Sequence, residues 1–440
     1  MSDIPVSRSR PSACRVNMGL AVLAALALST PVSSQMTDAD GSPIDPIAIM
    51  QERINSGDLV LEFDERHGYL PAVLDALEIP LSSQTLIFSR TSLQTNLITP
   101  WTPRAVYFND DNYIGWVQDS KVLEVGVVDP DDGGVFYTLT QEAREKPTFV
   151  RENTTCLMCH ESRSVTEGVP GFMVRSVLVD RFGYPISPLH EGTTSDRTPF
   201  DERLGGYYVT GTHEGAGHAG NTMAPVLSHE VSDLGRYLDD FDMTSDGNVT
   251  DLEGRFDIEP YLTPHSDIVA LLVLTHQTRA HNLITLAHSV AAEAYLDITV
   301  SGVQRVVPPS TQVKIDGVIE RLTRAMLFSR EAPLAGRVEG TSGFADEFSA
   351  MGPFDSQGRS FRQFDLERRL FRYPFSFLIY TDAFDALPDL MKEYFYKRVE
   401  EVLSGMDQTE DFANLDAEDR AALREILAET KPEFLDFIAR

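Results

Sequence analysis

Cysteine is nearly absent from this chain of 440 residues, which has three, at Cys14, Cys156 and Cys159. So few thiols exclude a scaffold held together by several disulfides and a structural zinc site with four cysteine ligands. Basic residues are also scarce, because 37 lysines and arginines face 67 aspartates and glutamates, for a net charge of −30. A surface this acidic repels phosphate backbones, so we expect no nucleic-acid partner and favour a basic protein partner.

Long apolar runs are missing as well, except near the N-terminus. Arg8, Arg10 and Arg15 form a basic start, the apolar run Met18–Leu28 follows, and Val32-Ser33-Ser34 resembles a signal-peptidase site. The run is about half of the ~20 residues that a transmembrane helix needs. We therefore predict a cleaved signal peptide over residues 1–34 and a mature protein that is periplasmic or secreted, with no membrane span. A retained anchor is the alternative.

The two cysteines of the mature chain lie in one motif, Cys156-Leu157-Met158-Cys159-His160. C-x-x-C-H is the attachment signature of c-type haem, since two thiols at this spacing can bind the two vinyl groups of one porphyrin edge. The histidine that follows can then ligate the iron. We predict one covalent haem c on Cys156 and Cys159, with His160 as the proximal iron ligand. A thioredoxin-like motif would need a βαβ setting, and a zinc knuckle would need further cysteines.

The chain holds only one such motif, which disfavours a peroxidase built from paired haem domains. It is also several times longer than the single small domain that an electron shuttle needs. Three functions therefore stay open, and whether the protein is an enzyme stays open with them. The first is an electron-transfer cytochrome. The second is a haem-dependent oxidoreductase with an open distal site in a pocket between a β module and a helical domain, and the third is a haem-based binding or sensing protein.

The sixth ligand of the iron distinguishes these functions, because a vacant position lets small molecules bind. Three histidines are the distal candidates. His213 and His218 lie in a glycine-rich segment, where solvated loop histidines are the structural alternative. His276 lies on the apolar stripe of a predicted helix, where a hydrogen-bonded core histidine is the alternative. His281, on a more polar face of that helix, is expected to be solvated.

Residues 242–253 match most positions of an EF-hand calcium loop. The candidate calcium ligands are Asp242, Asp246, Asn248 and Glu253, whereas Thr244 replaces the usual aspartate or asparagine. An acidic surface turn that contains a glycine is the alternative. Ca²⁺ is therefore an optional second cofactor.

The residue pattern predicts an α+β fold in three segments. Strand-forming runs separated by turn residues predict an antiparallel β-rich module over residues 35–145, with a hairpin between Val122–Val128 and Val135–Leu139. Residues 146–225 hold the haem attachment segment and the glycine-rich loop. Helical periodicity predicts a mostly helical domain over 226–440. It begins with a long helix capped by Thr263, continues with helices at 311–329, 361–380, 384–404 and 417–438, and contains a loop at 336–358.

Several of these segments resemble a family of exported bacterial proteins known only as cytochrome c domain proteins, which have a single C-x-x-C-H motif. The matching pieces are Pro103–Asp111, the haem motif, Gly168–Gly171, Gly206–His213, Leu262–Val269, His276-Gln277 and Phe371–Pro374. The resemblance covers most of residues 85–440 and implies haem binding without an established reaction. Family members often have a methionine where this chain has Ala219.

Overall fold

A computed structural model describes residues 45–190, 192–215, 217–227, 230, 233, 236–238, 241–244, 247–301 and 307–439. The signal peptide predicted for residues 1–34 and the candidate calcium ligand Asp246 lie outside these described residues.

An antiparallel seven-stranded sheet lies in the N-terminal half of the chain. Its strands are β1 (Thr85–Ile87), β2 (Arg104–Phe108), β3 (Asn112–Trp116), β4 (Val122–Asp129), β5 (Gly133–Thr140), β6 (Phe149–Arg151) and β9 (Tyr207–Tyr208), in the spatial order β6-β5-β4-β3-β2-β1-β9. Two small ribbons join β7 (Val177–Val179) with β8 (Pro185–Pro188), and β10 (Thr212–His213) with β11 (Val338–Glu339). The predicted hairpin of β4 and β5 is confirmed.

The turn of this hairpin follows from its sequence. Asp129 Oδ1 accepts hydrogen bonds from the backbone N–H groups of Asp131 and Asp132, and Gly133 follows with a φ of 79°. An aspartate that bonds to the backbone two and three residues ahead is a common way to start a turn, and a positive φ favours glycine.

The strands carry apolar side chains on both faces, and both faces of the sheet are buried. On one face Tyr107, Ile114 and Trp116 pack with two short helices, α1 (Pro46–Ser56) and α2 (Leu70–Ala76). The other face carries Phe108, Tyr113 and Phe136 and packs against the helical half of the chain.

The remaining helices lie mostly in the C-terminal half and confirm the α+β prediction. They are α3 (Leu157–His160), α4 (Ile268–Ser301), α5 (Pro309–Met326), α6 (Phe344–Ala350), α7 (Asp382–Asp385), α8 (Asp389–Leu403), α9 (Ala417–Thr430) and α10 (Glu433–Ile438). Along α4, residues 268–278 and 280–285 are buried, so this helix runs through the core. None of the described helices combines the length and the apolar character that crossing a membrane requires.

Several predicted boundaries in this half were wrong. Residues 361–380 form turns and a short 3₁₀ helix, Phe377–Tyr380, because their buried phenylalanines enter the core from successive turns and Pro374 interrupts any helix. The predicted loop 336–358 contains β11 and α6. The predicted helix 417–438 is divided at Pro432 into α9 and α10. The N-cap of α4 is Asp267 rather than Thr263, because Asp267 Oδ1 accepts from Val269 N and Ala270 N.

The residues that the structure describes, from Asp45 on, belong to one compact unit. Strand β9, from the segment predicted to hold the haem, completes the sheet, and α4 contacts β5. The segment boundaries after residues 145 and 225 stay predictions.

Candidate functional site

The Cys-x-x-Cys-His motif forms a single helical turn at α3. His160 N donates to Cys156 O at 3.0 Å, and Cys159 N donates to the same carbonyl at 3.1 Å. Both cysteines are free thiols, Cys156 half-buried and Cys159 exposed. The turn therefore presents two unbonded thiols and one imidazole within five consecutive residues, as covalent haem attachment requires.

The imidazole of His160 is fixed through one of its two nitrogens. Nδ1 lies 2.8 Å from Gly171 O, and because a carbonyl can only accept, Nδ1 carries the proton. No hydrogen bond of the described structure uses Nε2 of His160, so its lone pair is available. Histidines that bind a metal commonly hold their other ring nitrogen in this way, which fixes the tautomer and the ring orientation. Burial lowers the pKa of His160, which favours the neutral form that a metal ligand needs.

The peptide that holds His160 is itself held by Asn282 of α4. Asn282 Oδ1 accepts from Phe172 N at 2.9 Å, and its Nδ2 donates to Phe172 O at 2.7 Å. A Cβ at Gly171 would lie 2.1 Å from Asn282 Oδ1, so only glycine allows this close approach. Sequence reasoning missed Asn282, whose only local signal is its place beside His281.

A charged pair on the sheet lies near the haem motif. Arg104 Nη2 is 2.5 Å from Glu124 Oε2, and the guanidinium lies over Gly115, where a Cβ would be 2.3 Å from Nη2. Burial raises the pKa of the Cys156 thiol to about 11; Glu152 and Glu124 add to this, and Arg104 opposes it. Cys156 is therefore a neutral thiol at neutral pH, in a place where a neutral thioether would also be tolerated. Sequence reasoning missed this pair as well, because its members come from different strands.

A cleft of about 230 Å³ adjoins the motif. Gly134, Phe136, Leu157 and Pro170 contribute to its wall, and the ring of Phe136 lies 4.5 Å from that of His160. The residues present fit a covalent c-type haem: the thiols are unbonded, Nε2 of His160 is unused, and apolar surface adjoins the turn.

The structure brings His213 and His218 together. Their rings are 5.0 Å apart and both contact Phe200, while the exposed fractions of the two residues are 9% and 1%. The alternative of solvated loop histidines is therefore wrong for this pair. His213 interacts with the backbone of Gly215, and His218 Nδ1 accepts from Gly220 N at 3.0 Å. Burial lowers the pKa of both, that of His218 to about 3 with a contribution from His213.

His276 lies in different surroundings. It is buried, as its place on the apolar stripe predicts, its Nε2 is 2.8 Å from Ser376 Oγ, and its ring stacks on Phe328 at 4.1 Å. These contacts are those of a core histidine. No described contact joins His213, His218 or His276 to the motif at α3, and the identity of the distal ligand stays a prediction. His281 is not solvated as expected: it is buried, and its Nε2 donates to Asp110 O at 2.7 Å.

In the described part of the calcium loop, oxygens of two candidate ligands, Asp242 and Asn248, already accept hydrogen bonds. Asp242 Oδ1 accepts from Thr244 N and Thr244 Oγ1, both at 2.9 Å. Asn248 Oδ1 accepts from His213 N at 2.8 Å, which ties the loop to β10. The residues after Glu253 form turns rather than the second helix of an EF-hand. Within the described residues, no group of three or more His, Cys, Asp or Glu side chains is placed to hold a metal ion. Calcium binding stays a prediction.

A larger cavity, of about 460 Å³, lies between the sheet and the helices. Phe108 of β2 and Asp111 of the turn between β2 and β3 line it on one side, and Gln277, Phe344 and Phe348 line it from the helical half.

Comparison of the chain with protein-family models, with curated proteins and with solved structures finds no match.

Proposed function

We propose that this protein is an exported c-type cytochrome that carries one haem on Cys156, Cys159 and His160 and exchanges electrons with a partner protein. The observation that carries the proposal is the state of His160, whose Nδ1 is bound to Gly171 O while Nε2 is unused within a C-x-x-C-H turn. The resemblance to exported cytochrome c domain proteins supports it.

Each residue of the site has a defined part in this function. A bound haem would supply the one-electron redox centre. Cys156 and Cys159 would hold it covalently, and His160 would ligate its iron. Gly171 fixes the orientation of the imidazole. The paired charges of Arg104 and Glu124 contribute to the local electrostatic environment, on which a reduction potential depends.

The net charge of −30 supports a basic electron-transfer partner. Opposite charges on two proteins raise the rate at which they meet, and like charges suppress wrong encounters.

The first test is to measure whether the protein carries covalent haem after co-expression with the haem c maturation machinery. We expect haem to stay attached to the denatured chain, with a pyridine haemochrome spectrum typical of two thioether links. The double variant Cys156→Ser/Cys159→Ser should lose it. Cys14→Ser is the matched control and should keep it, because Cys14 precedes the predicted cleavage site. Wild-type protein without covalent haem would refute the proposal.

A haem-dependent oxidoreductase is the second candidate function, and the cavity between sheet and helices favours it. A binding or sensing protein would share its requirement for an accessible iron. The ferrous absorption spectrum with and without carbon monoxide separates these from an electron carrier. An unchanged spectrum supports the electron carrier, and a clear shift supports the enzyme or the sensor.

Single alanine variants of His213, His218 and His276 test the distal ligand. Loss of a six-coordinate spectrum in one variant would identify that residue. If all three keep the wild-type spectrum, none of them is the ligand.

A further inference from the structure

The cavity of about 460 Å³ lies where the turn between β2 and β3 meets α4 and α6. Its volume falls within the usual range of small-molecule sites, ~300–1,000 Å³. Phe108, Phe344 and Phe348 form an apolar wall, with Phe344 and Phe348 stacked at 5.5 Å. Such a wall would accommodate an apolar ligand body.

Three polar side chains that line this cavity each leave one oxygen without a partner. They are Asp111 Oδ1, Asn112 Oδ1 and Gln277 Oε1, all buried. The amide of Gln277 has a defined orientation, because its Nε2 lies within hydrogen-bond distance of three acceptors, Asn109 O, Asp110 O and the hydroxyl of Tyr113, which share its two N–H groups. Gln277 is 1% exposed, and a buried acceptor that lacks a donor is unfavourable until a donor occupies the cavity. All three unpaired oxygens are acceptors, and the ligand they call for is a hydrogen-bond donor.

The charged residues around the cavity also favour a ligand that donates hydrogen bonds, and in particular one with a positive charge. Asp110 is neutralised by Arg362, whose Nη1 and Nη2 contact both of its carboxylate oxygens. Asp111 has no ion pair among the described residues. Burial raises the pKa of Asp111 to about 7; Asp110 and Asp382 add to this rise, and Arg362 opposes it. A ligand that brought a positive charge would supply the missing counterion.

We propose that this cavity binds a small organic cation, a protonated primary amine on an aromatic or other apolar body. The ammonium group donates to Asp111 Oδ1 and Gln277 Oε1, and the body packs against Phe344 and Phe348. A bare Ca²⁺ or Mg²⁺ ion fits less well, because such ions need six or more oxygen ligands or retained water and gain nothing from apolar walls.

A line of contacts connects this cavity to the candidate haem site. Tyr113, whose hydroxyl accepts from Gln277, stacks on Phe172 at 4.3 Å. Phe172 lies 5.4 Å from Phe136, and Phe136 lies 4.5 Å from His160. Binding of an organic cation would be a property beyond the proposed function, because it depends on the cavity residues and not on the haem.

Calorimetric titration of the full-length protein with 2-phenylethylammonium tests the inference, and neutral 2-phenylethanol serves as the probe of matched shape. At pH 7.5 we expect the ammonium to bind at least tenfold more tightly than the alcohol. Asp111→Asn should remove this preference, because it deletes the charge and keeps the shape. Asp75→Asn is the control and should keep it, since Asp75 is exposed on α2 and does not line the cavity.

A second variant shows whether a loss of binding in Asp111→Asn comes from misfolding of that variant. Met351 lines the cavity and is 57% exposed, so Met351→Arg can be accommodated and brings a competing cation. It should weaken ammonium binding at least tenfold. Failure of wild-type protein to bind the ammonium, or equal binding of the two probes, would overturn the inference. Covalent haem is measured on the same samples, so its absence would count against the proposed function and leave the binding result intact.

Discussion

Individual side chains of the core fix backbone segments that are far away in sequence, and Asn282 is the clearest case. Its amide forms two hydrogen bonds with Phe172, next to the glycine whose carbonyl holds His160. An amide that matches both N–H and C=O of one residue acts as a clamp on an otherwise irregular segment. Such clamps matter because buried backbone groups lose stability when their partners are removed.

Asn282→Leu tests this clamp. We expect unfolding free energy to fall by about 2–4 kcal/mol, because two buried backbone groups lose their partners. The haem spectrum should also change, since Gly171 O would no longer be fixed against His160. Urea denaturation and the ferrous spectrum measure the two effects. Asn96→Leu, at an exposed asparagine, should alter neither. A stable variant would show that the clamp is dispensable.

Only part of the candidate site could be predicted from neighbouring residues. The motif of Cys156, Cys159 and His160 is local, and its chemistry requires that spacing. The contacts of His160 with Gly171 and of Phe172 with Asn282 span 11 and 110 residues. Tertiary packing creates them, and a single sequence shows no pattern that pairs these positions. The unpaired oxygens of the cavity were missed for the same reason.

Among the secondary-structure elements, α4 depends on an unusual N-cap. The buried carboxylate of Asp267 accepts from Val269 N and Ala270 N through Oδ1, and from Thr341 N and Ser342 N through Oδ2. One side chain thus begins the longest described helix and fixes the loop before α6.

Asp267→Ala should therefore cost more than loss of an ordinary cap. We expect about 3 kcal/mol or more of unfolding free energy, because the change leaves four backbone donors without their acceptor. Asp416→Ala is the matched control: Asp416 caps α9 with one bond to Asp419 N near the surface, and its loss should cost about 1 kcal/mol. Equal losses in chemical denaturation would contradict this account.

The predicted secondary structure is accurate where an element is determined by neighbouring residues and wrong where it is determined by residues distant in sequence. The hairpin of β4 and β5 was predictable because its strands and its aspartate-glycine turn are contiguous. Residues 361–380 were mistaken for a helix because phenylalanines spaced through a polar segment imitate helical periodicity. Their true conformation depends on distant partners, such as the ion pair of Arg369 with Asp419.

For the molecule as a whole, buried carboxyl groups set the dependence of stability on pH. Burial raises the pKa of Glu331 to about 8 in the folded state, against 4.5 for an ordinary glutamate. The folded protein then holds this proton more tightly than the unfolded chain. Its contribution is fully present below pH ~4.5 and is lost as pH rises through ~8.

Glu331→Gln should remove this dependence. The amide keeps an oxygen that can accept from Leu370 N, as Glu331 Oε1 does at 2.8 Å, and it cannot ionise. At pH 8.5 we expect the variant to exceed wild-type stability by on the order of 2 kcal/mol, with a smaller difference at pH 5. Urea midpoints at the two pH values measure this. If the urea midpoints of wild type and variant differ by the same amount at both pH values, ionisation of Glu331 does not cause this dependence.

The charge of −30 predicts how the protein meets a redox partner. Electron exchange with a lysine-rich c-type cytochrome should slow at least tenfold between about 10 mM and 300 mM salt, because screening removes the attraction that guides encounter. Stopped-flow kinetics measure the rate. An acidic partner of similar potential should show the opposite trend, and a salt-independent rate with the basic partner would exclude electrostatic guidance.

Helix α4 carries both Gln277, which lines the cavity, and Asn282, which clamps the segment beside the haem motif. The two side chains are little more than one turn apart on a helix buried on nearly all sides. Replacing α4 therefore changes both sites at once. A chimera that takes this helix from a divergent relative would gain or lose Gln277 and Asn282 together. In evolution, too, selection on one site constrains the residues available to its neighbour.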